Sequence, residues 1–181
     1  MSDIRLSEKI GSAFYDVAHD VFHHGHTHYD FSGGRGSLKS STVSILVPLI
    51  LMQKQNRNCH ALVLRKVANT IRDSVYAQYI WAIGELGAAR YWEAKVSPME
   101  LIYKPTGQKI MFRGADDPMK IKSIKVPFGY IAVTHFEEKD QFAGRAEIRN
   151  ILQSTMRGGS VFWNFESYNP PISRDNWANK D

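Results

Sequence analysis

The chain reads as an α/β protein in which helices flank a mostly parallel sheet, and three observations carry that reading. Gly33-Gly34-Arg35-Gly36-Ser37-Leu38-Lys39-Ser40 follows the short run Tyr29-Asp30-Phe31 and opens into apolar Val43-Ser44-Ile45-Leu46-Val47. That is the strand, glycine loop, helix order of a phosphate-binding turn. Continuous apolar runs such as His60-Ala61-Leu62-Val63-Leu64 and Tyr130-Ile131-Ala132-Val133-Thr134 suit strands buried on both faces. Segments with helical spacing separate these runs, and strand–helix alternation calls for right-handed crossovers.

Taken in order, residues 4–22 predict an amphipathic helix, with Ile4, Ile10, Phe14, Val17, Val21 and Phe22 near helical spacing. His19, His23, His24, His26 and His28 follow or overlap it. They read as a solvated loop; a zinc site would need an acidic or cysteine partner at ligand spacing, which the segment lacks. The helix after the glycine loop should run from Lys39 to about Gln53, with a kink or break at Pro48. Arg65 and Lys66 close the next strand at its carboxyl end, where open α/β sheets bind ligands. Asn69 or Thr70 is placed to cap a helix carrying Ile71, Val75, Tyr79, Ile80, Ile83 and Leu86, which ends near Gly87. Residues 99–104 and 109–113 predict a hairpin around Pro105-Thr106-Gly107-Gln108. A polar segment, 114–123, precedes the strand at 130. A helix over 144–157 stops at Gly158-Gly159, and Ser160 to Phe165 is the last strand.

The 181 residues suffice for one domain with a sizeable core, and 43% hydrophobic with 23% charged residues is a soluble globular composition. A formal net charge of +5 permits a polyanionic partner without requiring one. The single cysteine, Cys59, excludes an internal disulfide framework and a four-cysteine zinc site, and reads as an apolar filler. Residues 1–10 are polar and carry both charge signs, unlike a signal peptide, and the apolar run 45–52 is too short to cross a bilayer. Cytoplasmic residence follows from these readings.

In the loop, the glycines let backbone N–H groups turn toward a phosphate. Lys39 can reach the β- and γ-phosphates, and Ser40 can hold Mg²⁺ at the positive end of the helix. Leu38 departs from the G-x-x-x-x-G-K-[ST] pattern, and a glycine-rich turn that holds no nucleotide is the alternative. Hydrolysis also needs a metal-binding acid and a base. Glu137-Glu138 ends a buried apolar strand, where a Walker B element belongs. The first acid would orient Mg²⁺, and the second would polarise the attacking water. Loop and acids together specify a P-loop NTPase of the additional-strand, catalytic-glutamate (ASCE) type, with an N-terminal helix and an inserted β-hairpin.

The stretch from Tyr29 to Ser40 resembles the deviant Walker A of phage terminase large subunits, particularly the PBSX-like group, which tolerates a non-glycine before the lysine. Further matches are co-linear: Leu64-Arg65-Lys66, Thr70-Ile71-Arg72-Asp73-Ser74-Val75, Gly114 to Ser123, Phe136-Glu137-Glu138 and Asn169-Pro170-Pro171. The resemblance runs from about residue 14 to 171. It implies an ATP- and Mg²⁺-dependent motor that moves double-stranded DNA into a capsid. Its implied partners are a portal protein and a small terminase subunit, and its implied assembly is a ring, usually a pentamer, in the host cytoplasm. Carried over, Gly33, Gly34, Gly36, Ser37, Lys39, Ser40 and Ser41 form the nucleotide cradle. Ser40 and Glu137 serve the metal, Glu138 is the base, and Ser167 and Asn169 belong to the coupling element. Arg35 either stabilises the transferring phosphoryl group, shapes the loop or faces a neighbouring subunit. Tyr29 either lies near the adenine or fills the core.

Two departures stand out. Thr134-His135 replaces the bulky apolar residue usual before the acids, and His135 reads as a partly buried structural histidine. The family also continues into a ribonuclease H-type nuclease, for which Asp175 and Asp181 offer no constellation. The chain therefore reads as residues 1–181 of an ATPase domain lacking its last elements and its nuclease domain. Lys104, Lys109, Arg113, Lys120, Lys122 and Lys125 against Asp116 and Asp117 give a local surplus of +4 that suits phosphate contacts with a duplex. Trp81, Trp92 and Trp163 read as core. A non-catalytic assembly module and a small P-loop kinase or nucleotide-binding regulator remain as alternative readings.

Overall fold

The computed structural model of the chain describes residues 5–181. Its strands are β1 (His28–Ser32), β2 (Cys59–Arg65), β3 (Trp92–Val96), β4 (Met99–Tyr103), β5 (Gln108–Gly114), β6 (Tyr130–Glu137) and β7 (Trp163–Tyr168). Its α-helices are α1 (Tyr15–His23), α2 (Lys39–Met52), α3 (Ala77–Glu85), α4 (Pro118–Lys122) and α5 (Arg145–Thr155). One mixed sheet has the order β1-β7-β6-β2-β5-β4-β3. The five strands from β1 to β5 in that order pair in parallel, and β5-β4-β3 pair antiparallel. Strand β7 lies between β1, which leads into the glycine loop, and β6, which ends at the acids. This is the additional-strand arrangement, and it places three carboxyl-end loops side by side.

The sheet is covered on both faces. Val43, Ile45, Leu46, Val47 and Ile50 of α2 pack with Tyr79 and Ile83 of α3 on one face, against Ala61, Val63, Val133 and Phe165. Leu62, Leu64, Met111 and Phe136 face Ile121 of α4 and Ile148, Ile151 and Leu152 of α5 on the other. Every residue of β2 is buried, which is why its sequence is continuously apolar rather than alternating. Each fully buried Leu or Ile of this kind contributes about 1.5–3 kcal/mol of transfer free energy.

Several local expectations are revised. The predicted N-terminal helix starts only at Tyr15. Leu6–Glu8 and Ser12–Phe14 are separate 3₁₀ turns, split by Gly11 in an extended conformation, and Ile4 lies outside the described residues. Helix α2 runs through Pro48 without interruption. The proline deprives the Ser44 carbonyl of its helical donor, but nearly every residue around it is buried and packing holds the helix. Neither Asn69 nor Thr70 caps a helix. Thr70 Oγ1 donates back to the Val67 carbonyl at 2.7 Å, and a π-helical turn, Arg72–Tyr76, precedes α3. The hairpin gains a third strand, β3, and residues 118–122 form α4, capped by Asp117. The last strand begins at Trp163, so Ser167 lies inside it. Trp92 and Trp163 are buried as expected, whereas Trp81 is 45% exposed. Among the described residues no helix is long and apolar enough to cross a membrane.

Candidate nucleotide-binding and catalytic site

The glycine loop leaves β1 at Ser32 and enters α2 at Lys39. A Cβ on Gly33 would stand 2.8 Å from Ser37 Oγ, so a larger residue there would force the Ser37 hydroxyl to turn away. Gly36 has φ 81°, and Leu38 also occupies the left-handed region with φ 62° and ψ 8°. The Leu38 carbonyl is then aimed along the helix, where it accepts from Thr42 N at 2.8 Å and Thr42 Oγ1 at 2.9 Å. Arg35 is exposed at the loop apex. Gly36 to Ser41 line a shallow hollow of about 150 Å³. The roomier cavity of about 410 Å³ lies across the sheet between α4 and α5, away from every residue of the loop. A shallow cradle is what a backbone-lined phosphate site requires, since the ligand's charged end sits on N–H groups rather than in an apolar cavity.

Lys39 is buried, and its Nζ donates to Asn169 Oδ1 at 2.6 Å and to the Gly34 carbonyl at 3.4 Å. Burial holds its pKa below the usual lysine range, against the opposing pull of Glu137 and Asp140. The contact follows from topology: Asn169 directly succeeds β7, the immediate neighbour of β1. On β6, Glu137 aligns with Ser167 of β7. Its side chain is 14% exposed, and burial pushes its pKa up to about 7, with Arg65 and Lys39 opposing and Glu138 and Asp140 reinforcing the rise. Arg65 Nε stands 2.8 Å from Glu137 Oε2. Its N–H is not directed at that oxygen, which remains a buried acceptor without a hydrogen bond. Arg65 Nη2 also pairs with Glu138, and Nη1 donates to the Thr70 carbonyl at 3.1 Å and Ser74 Oγ at 2.8 Å.

His135, expected to be partly buried, is 1% exposed. Its ring bridges Tyr79 Oη at 2.9 Å and Ser167 Oγ at 3.0 Å, and burial lowers its pKa to about 3. It is therefore a neutral strut between α3 and β7.

Lys39, Glu137, Glu138, Ser167 and Asn169 thus come together at the carboxyl ends of β1, β7 and β6, with Ser40 and Ser41 lining the adjoining hollow at the start of α2. Glu137 Oε2 in this group and Ser37 Oγ on the adjoining loop are buried atoms with unmet hydrogen-bonding capacity. A hydroxyl on the loop suits a phosphate, and a carboxylate oxygen across from it suits a cation or its water shell. Tyr29 does not join the group. It is buried beneath α1, stacks on Phe165 and donates to Asp20 Oδ2 at 2.8 Å, which makes it a core residue. Arg65 is the residue whose importance the sequence only hinted at. Its strand-end position was the signal, but Lys66 shared it and turns away to Glu147 at 2.5 Å. The histidines also separate: His26 pairs with Asp20 at 3.0 Å and His19 stacks on His23. They do not converge as a metal-ligand set among the described residues.

A family model described as the phage terminase large subunit matches residues 26–181. The terminase large subunit of Bacillus phage SPP1 is 38% identical over 184 residues, covering 99% of this chain and 43% of that protein. The PBSX phage terminase large subunit of Bacillus subtilis (strain 168) is 36% identical over 104 residues, 58% of this chain and 23% of that one. The chain therefore spans less than half the length of these relatives. In fold it is similar to the N-terminal domain of the DNA packaging ATPase from bacteriophage phi29, with a TM-score of 0.62 at 12% identity, over 88% of this chain and 84% of that one. The chain belongs to the phage terminase large subunit family.

Proposed function

We propose that this chain binds and hydrolyses Mg-ATP as the motor portion of a viral DNA-packaging terminase. The observation that carries the reading is the meeting of Lys39, Asn169, Glu137 and Glu138 at the carboxyl ends of three adjacent strands. The loop from Gly33 to Ser37, with Lys39, Ser40 and Ser41, receives the triphosphate. Arg35, exposed at the apex, contacts the transferring phosphoryl group or a neighbouring subunit. Ser40 and Glu137 would hold Mg²⁺, which would supply positive charge to offset that developing on the phosphates. Glu138 accepts a proton from the attacking water once its pairing with Arg65 loosens. Asn169 occupies the Lys39 ammonium at rest and gives it up to phosphate. The coupling strand, with Ser167, thereby senses occupancy.

By family membership the proposed partners are double-stranded DNA, a portal protein, a small terminase subunit and further copies in a ring, usually a pentamer. The proposed place of action is the host cytoplasm, and no nuclease activity is assigned to residues 1–181.

Steady-state phosphate release with and without duplex DNA tests the reading. Glu138→Gln should lower kcat by about 100-fold or more while leaving nucleotide binding intact, the scale expected for loss of a general base. Hydrolysis by that variant at the parent's rate excludes Glu138 as the base. Phosphate transfer to a small acceptor instead of water would favour a kinase.

A further inference from the structure

Lys139 follows Glu138 directly and is 0% exposed, an unusual position for a lysine. Its ammonium pairs with Asp30 of β1, with Asp181 at 3.1 Å and with Glu166 of β7 at 3.4 Å. It lies 4.5 Å from the Tyr168 ring centroid and 5.8 Å from that of Trp177. Arg145 of α5 closes the knot: its Nη1 donates to both Glu166 oxygens, at 2.7 and 2.8 Å, and its Nε donates to Asp181 Oδ1 at 2.8 Å. Two cations thus meet three carboxylates on the α5 face of the sheet. Asp30 and Glu166 alternate with Tyr29, Phe31 and Phe165, which pack on the face covered by α1 and α2.

Side-chain alternation makes this arrangement informative. Along β6, His135 and Glu137 lie on the α2/α3 face, and Phe136 lies on the α5 face. A continued strand would send Glu138 to the α5 face with Phe136. Instead, Glu138 leaves the strand with φ 56° and ψ 54°, and its carboxylate meets the same Arg65 that pairs with Glu137. Lys139 takes the opposite side. A non-glycine residue in the left-handed region persists only where its surroundings over-determine it. Here the following residue is pinned by three carboxylates and two aromatic faces. We propose that Lys139 is a positioning residue for Glu138: the buried ionic knot holds the turn that keeps Glu138 beside Glu137 on the nucleotide side of the sheet. The proposal rests on the reading of Glu138 as the base.

Two variants of the chain test it. Lys139→Met removes the anchor at similar volume but leaves the carboxylates in excess. Asp30→Asn with Lys139→Met leaves one cation against two carboxylates, the parent's net charge, and protects the fold. In the double variant, hydrogen exchange at residues 137–142 should accelerate at least about tenfold with the interiors of β2 and β6 unchanged. At the same time kcat should fall at least about tenfold at a KM for Mg-ATP within about threefold, as expected for a misplaced base. Exchange in the turn at the parent's rate, or a parental kcat, overturns the proposal. So does acceleration spread evenly over the sheet, or loss of cooperative unfolding in the double variant, since both assign Lys139 to general stability. A parent that hydrolyses no ATP overturns the proposed function instead, and the exchange comparison still decides whether Lys139 holds the turn.

Discussion

Leu38 occupies a backbone conformation that glycine adopts freely and a β-branched residue resists. Its side chain is 54% exposed, so burial offsets little of the cost. Leu38→Gly should change stability by less than about 1 kcal/mol, because relief of strain and the greater freedom of the unfolded chain oppose each other. Leu38→Val should lower stability by about 1–2 kcal/mol, read as a fall of several degrees in thermal melting. Glu137 gives a second test at this scale. Its folded pKa of about 7 exceeds the ordinary 4.5, so the metal-free protein loses stability as pH rises through that window. Glu137→Gln should therefore melt higher than the parent at pH 8, by about 2 kcal/mol of stability, with the difference vanishing near pH 5. Equal melting of the two proteins at pH 8 would contradict the burial argument.

Among the elements, the β3–β4–β5 sheet extension changes the reading of the basic segment. Glu100 of β4 is buried and pairs with Lys109 at 3.2 Å and Arg113 at 3.1 Å. Lys120 stands 3.8 Å from Asp117. The +4 counted along the sequence omitted Glu100, which lies upstream of the window but beside it in the sheet. Lys104, Lys122 and Lys125 form no ion pair among the described residues, and they are the better candidates for duplex phosphates. Glu100→Gln should destabilise the chain by about 1–3 kcal/mol through the loss of a buried pair. By releasing two cations it should also tighten duplex binding and steepen its salt dependence by up to about two counterions. An unchanged salt slope would show that Lys109 and Arg113 face away from DNA. Strand β3 was missed although Trp92-Glu93-Ala94-Lys95-Val96 alternates apolar and polar residues: the run is short, and Glu93 to Val96 are all exposed, so the alternation marks no buried face. The start of the helix after β2 was misread because Arg65 draws the Thr70 carbonyl and Ser74 toward the acids, where a π turn forms instead of a cap.

For the molecule as a whole, pH acts through groups of opposite sign. Burial depresses the pKa of both His60 and His135, the latter to about 3, so the unfolded chain binds protons more readily. The stability they contribute is complete above about pH 6.5 and is lost as pH falls toward the folded values. Glu137 titrates in the opposite direction between about 4.5 and 7 and offsets part of that loss. The parent's melting temperature should fall between pH 7 and pH 5, and that of Glu137→Gln should fall further over the same interval. A parent whose melting temperature rises on acidification would mean that the histidines are hydrated in solution.

The sequence by itself determined the layers of this protein. Continuous apolar runs require strands covered on both faces, helical spacing supplies the covers, and a glycine loop between strand and helix can turn N–H groups inward. It also marked Lys39 and Ser40, which close the glycine loop, and Glu137 and Glu138, which end an apolar run; Asn169 was marked only by the resemblance to the terminase family. Tertiary structure decided which of these meet. Strand order brought Asn169 to Lys39, and a left-handed turn put Glu138 beside Glu137. The pairing of β2 with β6 delivered Arg65 rather than Lys66 to both acids. Such choices depend on strand order, register and face, and these are set by how distant segments pack rather than by the residues on either side of each position.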